Sequence, residues 1–322
     1  MSNAEKPTTT AAAPFDNLDG DVILRSTTDR VDFHTFKVIL SLMSPVFKDM
    51  FTLPQTGLRS GVSSVPVIAV TESSATLEFL LLLCYPAATP TTFGSYSHAA
   101  AVMEAAKKYD MQAVLSRAVN LVIAQFLPDH ALEIYALFCQ LGWQDHAQIA
   151  ATRALEIKDL GRPGYVFNGL RNITGFDYYR LLAYHQECGA ATQKVVKSLS
   201  YNGQEWMCGQ NTTCARAIAT QSYRASPPWF DEYLDLSGKE LLARPCGSTL
   251  LLERTSYIRA TIQAIESAKS HNHCNNCKTD LKVMESMDRF RALYVLKVKT
   301  AIATVSFPAN RFITVSMLIL LL

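Results

Sequence analysis

The chain has 322 residues, of which 49% are apolar, with a formal net charge of +2. That length supports a sizeable core and about two domains, and the near-neutral charge gives no strong field for nucleic acid or an acidic partner. The first twenty residues, MSNAEKPTTTAAAPFDNLDG, lack the apolar core of a secretory leader. Residues 1–15 are expected to be a disordered, solvated tail, in a cytoplasmic or nuclear protein. Thiols stay reduced there, so the eight cysteines point to core packing or metal ligation rather than disulfides.

DVILRS (21–26) and VDFH (31–34) are short β-branched runs around the polar turn TTDR and predict a hairpin. After Lys37 the period becomes helical, with Val38, Ile39, Leu42 and Met43 on one face. Ser44-Pro45 then has the form of an N-cap followed by proline at the first helical position. Phe47, Met50 and Phe51 recur at i, i+3, i+4 beyond it. VPVIAVTESS predicts a third strand running into a helix start. Leu77, Leu80, Leu81 and Cys84 make the next helical stripe. Val102, Ala105, Ala106 and Tyr109 make another, and Leu115, Ala118, Val122 and Phe126 a third. Residues 16–127 are thus expected to form a small α+β domain of few strands and about five clustered helices.

From residue 129 the pattern is helical. Leu132, Tyr135, Ala136 and Cys139 form one stripe, Gly142 marks a connection, and Ala147, Ala150, Ala154 and Leu155 form the next. Two further helices are expected, around DYYRLLAYHQECG and in QKVVKSLSY. Residues 201–277 look less regular. The last long helix starts near Leu281, with Val283, Met287, Phe290, Tyr294 and Val298 along one side. FITVSMLILLL (312–322) is apolar apart from its hydroxyls but shorter than the roughly 17–25 residues a spanning helix needs. A strand packed on its own protein, or an atypical terminus, is expected rather than a membrane anchor.

The run DVILRS…VDFHTFKVILSLMSPVFKDMF resembles the BTB/POZ domain. The matching positions are Asp21, Val22, Phe33, Lys37, Leu40, Ser44, Pro45, Phe47, Met50 and Phe51, and AAKKYDM (105–111) resembles a later helix of that family. The part after residue 128 is similar in kind to the BACK-type helical segment that follows many BTB domains. YHQECG, ARPCGS and the late CxxC resemble BTB proteins of mushroom-forming fungi. The resemblance implies an α+β BTB/POZ domain at 16–127 and a BACK-like helical region at 128–200; the pattern beyond them predicts a helical C-terminal region with a candidate zinc site at 201–305 and an apolar tail at 306–322. It also implies a homodimer and protein partners, with Asp21, Phe33, Lys37, Phe47, Met50 and Phe51 as interaction residues. In BTB dimers an aspartate and a His-Lys pair often line a charged pocket. Here Asp21 and Lys37 are present, but Phe36 stands where the family usually has histidine. BTB adaptors of cullin-type ubiquitin ligases often carry an apolar-x-Glu motif in the loop after the second helix; TLPQTGLRSGVSS has no acidic residue. From the stripe alone, Phe47, Met50 and Phe51 are more simply core.

Cys274 and Cys277 at x2 spacing are a normal zinc half-site, because a tight turn turns both thiolates to one ion. Cys208 and Cys214, at x5 spacing, could supply the other half. His185, Cys188, Cys246, His271 and His273 are spare ligands, and buried thiols beside solvated histidines remain the alternative. The composition holds no GxSxG, P-loop, strand-linked GxGxxG or HExxH motif. Arg289, Arg291, Lys297 and Lys299 are interrupted by Glu285 and Asp288, so neither nucleic acid nor a small-molecule substrate is expected. The expectation is a non-enzymatic protein–protein interaction protein. A cullin-ligase adaptor and a zinc-containing transcription or chromatin factor are the alternatives.

Overall fold

Two short β-branched strands start the fold. Strand β2 (Val22–Ser26) and strand β3 (Val31–Thr35) pair antiparallel, with Leu24 opposite Phe33 and Arg25 opposite Asp32. That register puts the Arg25 guanidinium against the Asp32 carboxylate in a two-pronged contact at 2.6 and 2.7 Å. Strand β4 (Val67–Val70) lies parallel to β2, and β1 (Thr9–Thr10) lies parallel to β3, giving the order β1-β3-β2-β4. The computed structural model describes residues 7–52, 65–85, 90–164, 166–201, 226–270 and 279–308.

Residues 7–15 differ from the solvated tail expected for 1–15. Thr9 N–H donates to the Arg30 carbonyl and Ala11 N–H to the Asp32 carbonyl, so this segment satisfies the outer edge of β3. Phe15 is fully buried between the rings of Phe33 and Tyr85, at 5.8 and 5.3 Å. One aromatic buried at about 25 cal/mol per Å² outweighs the polar composition around it.

Among the described residues of 16–127 five helices follow: α1 (Lys37–Met43), α2 (Pro45–Thr52), α3 (Ser74–Cys84), α4 (Tyr96–Lys108) and α5 (Gln112–Phe126). Helix α3 is apolar nearly all round, with Leu77, Phe79, Leu80, Leu81, Leu83 and Cys84 buried, as a central helix must be. Its start is capped twice. Ser73 Oγ accepts from Thr76 N–H at 3.3 Å, and Asp29, in the hairpin turn, accepts from Ser74 N–H at 3.0 Å. Burial pushes the Asp29 carboxyl up, but hydrogen bonds from Ser26 and Ser74 outweigh it and hold the group below its ordinary value. Glu72, two residues before α3, accepts from Lys108 Nζ at 2.8 Å and from the Tyr109 hydroxyl at 2.6 Å. Burial again works against ionisation, and these two donors again win. Helix α6 (Ala131–Leu141) ends at Gly142, whose φ of 78° is the left-handed C-cap glycine favours. By contacts, one compact unit is Met1–Trp143 and the other Gln144–Leu322.

The second unit is helical: α7 (Gln144–Ala154), α8 (Gly175–Ser198), α9 (Pro228–Ala243), the short α10 (Thr249–Leu252), α11 (Arg254–Ser270) and α12 (Asp280–Ala303). Helix α8 is continuous where two helices were expected, because Gly189 does not break it. A side chain there would meet Leu242 of α9 at 3.3 Å, so the glycine marks a close helix approach. Gly238 of α9 faces Val196 of α8 in the same way, and Gln193 Nε2 reaches the Gly238 carbonyl at 2.7 Å. Rings of Phe230, Tyr233, Phe290 and Tyr294 fill the space between α9 and α12. Residues 228–270 are more regular than their composition suggested: the buried stripe of α11 is Ala260, Ala264 and Ala268, too small to give a strong hydrophobic period. The outcome is the expected class, an N-terminal small mixed sheet with clustered helices followed by a mainly helical region.

Two outcomes are expected from this packing. Asp29 and Glu72 have folded values below their unfolded ones, so their stabilisation is complete above the ordinary carboxylate range, about pH 4, and is lost as pH falls through the depressed folded values. Glu72→Gln should cost about 1.5–3 kcal/mol at neutral pH and flatten the acid limb of denaturant midpoint against pH. An acid limb parallel to that of the native protein would contradict this. Gly238→Leu should lower stability by about 1–3 kcal/mol through overpacking against Val196. Gly94→Ala, whose added carbon meets nothing within 4 Å, should stay within about 0.5 kcal/mol in the same melts.

Candidate interaction surface

Helix α1 has seven residues and buries only Leu40. Such a short helix does not hold itself in water, so groups outside it fix its ends. Phe36, at the N-cap, gives no side-chain cap. Asp21, at the entry to β2, supplies one instead: its Oδ1 accepts from Lys37 N–H at 2.7 Å, with its negative charge at the positive end of the helix. At the other end Ser44 N–H donates to the Leu40 carbonyl. The Ser44 hydroxyl then accepts from Phe47 N–H at 3.0 Å, capping α2, and donates to the Tyr109 carbonyl at 2.5 Å. Pro45 fits the first helical position because its missing N–H has no partner there.

With both ends held, the apolar face of α1 is left outward. Val38 is 63% exposed and Leu42, one turn on, is 80% exposed; Ile39 and Met43 beside them are half-buried. Leu18, three residues ahead of Asp21, is also exposed.

The six interaction residues expected from the sequence fall into different places. Asp21 and Lys37 meet at the start of α1 through the cap. Phe33 is buried on the sheet against Phe15. Phe47 is fully buried, its ring stacked on Tyr109 at 4.6 Å and on Phe51 at 6.2 Å. Its side chain is a core element in this chain, and the stripe reading explains it. Met50 and Phe51 are half-buried. The exposed residues of this surface are Val38 and Leu42. Their stripe was visible in the sequence, but its direction was not, since a helix with apolar residues on two sides does not say which side meets its own sheet.

Three of the five spare ligands, His185, Cys188 and Cys246, lie among the described residues of the helical unit. His185 Nε2 lies 3.3 Å from the Ile157 carbonyl, and burial lowers its pKa. Burial pushes the Cys188 thiol up to about 11, the opposite of a reactive or ligating thiolate. The Cys246 sulfur sits 3.1 Å from the hydroxyls of Ser248 and Thr249. Among the described residues no three His, Cys, Asp or Glu side chains are grouped to hold a metal ion. Cys208, Cys214, Cys274, Cys277, His271 and His273 lie outside the described residues. No described helix is long and apolar enough to cross a membrane.

Comparison with curated proteins finds no match for this chain. The family comparison does, and it covers strands β2 to β4, the capped α1 and helices α2 to α5: residues 16–125 match the BTB/POZ domain, a protein–protein interaction module, and the chain carries that domain there.

Proposed function

We propose that this chain is a non-enzymatic interaction protein that self-associates through the α1 face of its BTB/POZ domain and recruits a protein partner through its helical unit. The observation that carries it is the outward pair Val38 and Leu42 on a helix whose ends are held by Asp21 and Ser44. In a two-fold dimer each residue is used twice. Four such side chains contribute about 6–12 kcal/mol on burial, against an association cost of about 4–15 kcal/mol. The pair alone is marginal, so Ile39 and Met43 belong to the same buried patch.

Asp21 and Lys37 sit at the edge of this face, and their role is to set the start of α1. The cullin-adaptor reading lacks an acidic residue in residues 53–64 to support it, and that loop lies outside the described residues. The reading includes a structural zinc held by Cys208, Cys214, Cys274 and Cys277, supported by the x2 spacing of the second pair.

Sedimentation over a dilution series should show a dimer that dissociates on dilution. Leu42→Asp should weaken it on the order of 100-fold or more, since each copy then buries a charge worth at least about 1.4 kcal/mol. Its circular dichroism should stay unchanged, because Leu42 contributes little to the core. A native protein that is monomeric at every concentration would overturn self-association. Elemental analysis should find about one zinc per chain, and chelation should remove helicity. Metal-free protein with an unaltered melt would overturn the zinc.

A further inference from the structure

Helix α11 (Arg254–Ser270) carries two stripes on opposite sides. The buried one is Ala260, Ala264 and Ala268, one residue per turn, with Tyr257 beside it. The other faces outward. Ile258 is 53% exposed and Ile262, one turn on, is 52% exposed. Thr255 is exposed ahead of them, and Ile265 is half-buried behind. At about 100° per residue, this second stripe is centred roughly opposite the alanines. Just before α11, Leu251 and Leu252 of α10 are exposed too. Single exposed apolar side chains are ordinary, but a contiguous patch marks a contact.

The spacing says what shape covers this patch. Thr255, Ile258, Ile262 and Ile265 follow one another by steps of three, four and three. That alternation makes a seam that a second helix, laid along the first, buries from end to end. The charges beside the seam say which helix. Arg259 follows Ile258 and Glu266 follows Ile265, so both stand on one flank, two turns apart, and both are exposed. Arg254 stands on the other flank. A second α11 running the same way would set Arg259 against Arg254 of the other copy, like against like. Running the opposite way, equivalent flanks meet, and Arg259 of each copy lies beside Glu266 of the other. That arrangement is self-complementary, as a two-fold interface requires. Within its own chain, Arg259 Nη1 lies 3.2 Å from Glu232 Oε1 of α9, which holds the guanidinium on that flank.

We propose that α11 pairs antiparallel with α11 of a second copy of this chain, through the seam at Ile258 and Ile262. The seam and its flanks fall short of the roughly 20–30 residues a side of a standard interface, so the contact is weak by itself. It strengthens where two copies are already held together, since a tether raises the effective concentration to about millimolar. The proposal does not depend on self-association through α1.

Full-length protein carrying Leu42→Asp, which takes α1 out of the measurement, tests this by sedimentation equilibrium. An association step with a dissociation constant on the order of 100 μM is expected. Ile262→Asp should weaken that step on the order of 100-fold, with helicity unchanged because Ile262 faces away from the core. Arg259→Glu alone and Glu266→Arg alone should each weaken it about fivefold, since each sets like charges together twice in the pair. An equimolar mixture of those two variants should regain the affinity of the Leu42→Asp parent, because both contacts in the mixed pair then join opposite charges. A role for these charges within one chain would give no such recovery. A chain that stays unassociated at about 1 mM would overturn the proposal. So would a step untouched by Ile262→Asp, or a mixture no tighter than its parts; the face would then belong to another occupant.

Discussion

The hydrogen bond from Lys37 N–H to the Asp21 carboxylate fixes where α1 begins, and the presentation of the BTB surface depends on it. A seven-residue helix that buries one leucine has too little of its own to persist. The end near Met43 is held by Ser44, whose hydroxyl caps α2 and reaches the Tyr109 carbonyl. Tyr109 in turn donates its hydroxyl to Glu72 at the entry to α3. A line of polar contacts thus runs from β2 through α1 and α2 to the ends of α4 and α3. Because these contacts set the helix position, its apolar residues are not all needed for the core, and Val38 and Leu42 can face outward.

The helical unit is organised by close approach rather than by caps. Gly189 and Gly238 bring α8 and α9 together on their small faces, and the Gln193 amide bonds the carbonyl that this proximity exposes. Aromatic rings fill the wider gap toward α12. Arg180 is the costly member of this unit, a buried charge satisfied by a carbonyl, an amide oxygen, a carboxylate and a ring. A charge kept there at that cost orients the chain leaving α12, since a hydrogen-bonded guanidinium fixes direction where apolar packing alone would slide.

Much of the first unit was legible in the sequence. The short β-branched runs DVILRS and VDFH around the polar turn TTDR gave the hairpin, and Ser44-Pro45 marked the start of α2 because cap chemistry is local. The stripes of α4 and α5 were readable because each has one buried face. Three features were not. Thr9–Thr10 and Phe15 join the fold through a strand edge and two rings that are distant in sequence. The continuity of α8 through Gly189 was hidden because local propensity cannot see Leu242 across the helix interface. The alanine stripe of α11 was hidden because small side chains give a weak hydrophobic period.

For the surface itself the division is similar. The sequence by itself determined that an Asp-Val strand, an apolar helix and a Ser-Pro-capped second helix follow one another, since spacing and capping act over a few residues. It also placed apolar residues on more than one side of the α1–α2 pair. Only the tertiary structure decided which of them face inward. Phe47 goes to the core because Tyr109, more than sixty positions away, offers its ring and carbonyl there. Val38 and Leu42 stay outside while Leu40 of α1 and Phe47 of α2 go inward. Burial is a property of the groups lying opposite a side chain, and in this fold the opposing groups come from distant parts of the chain.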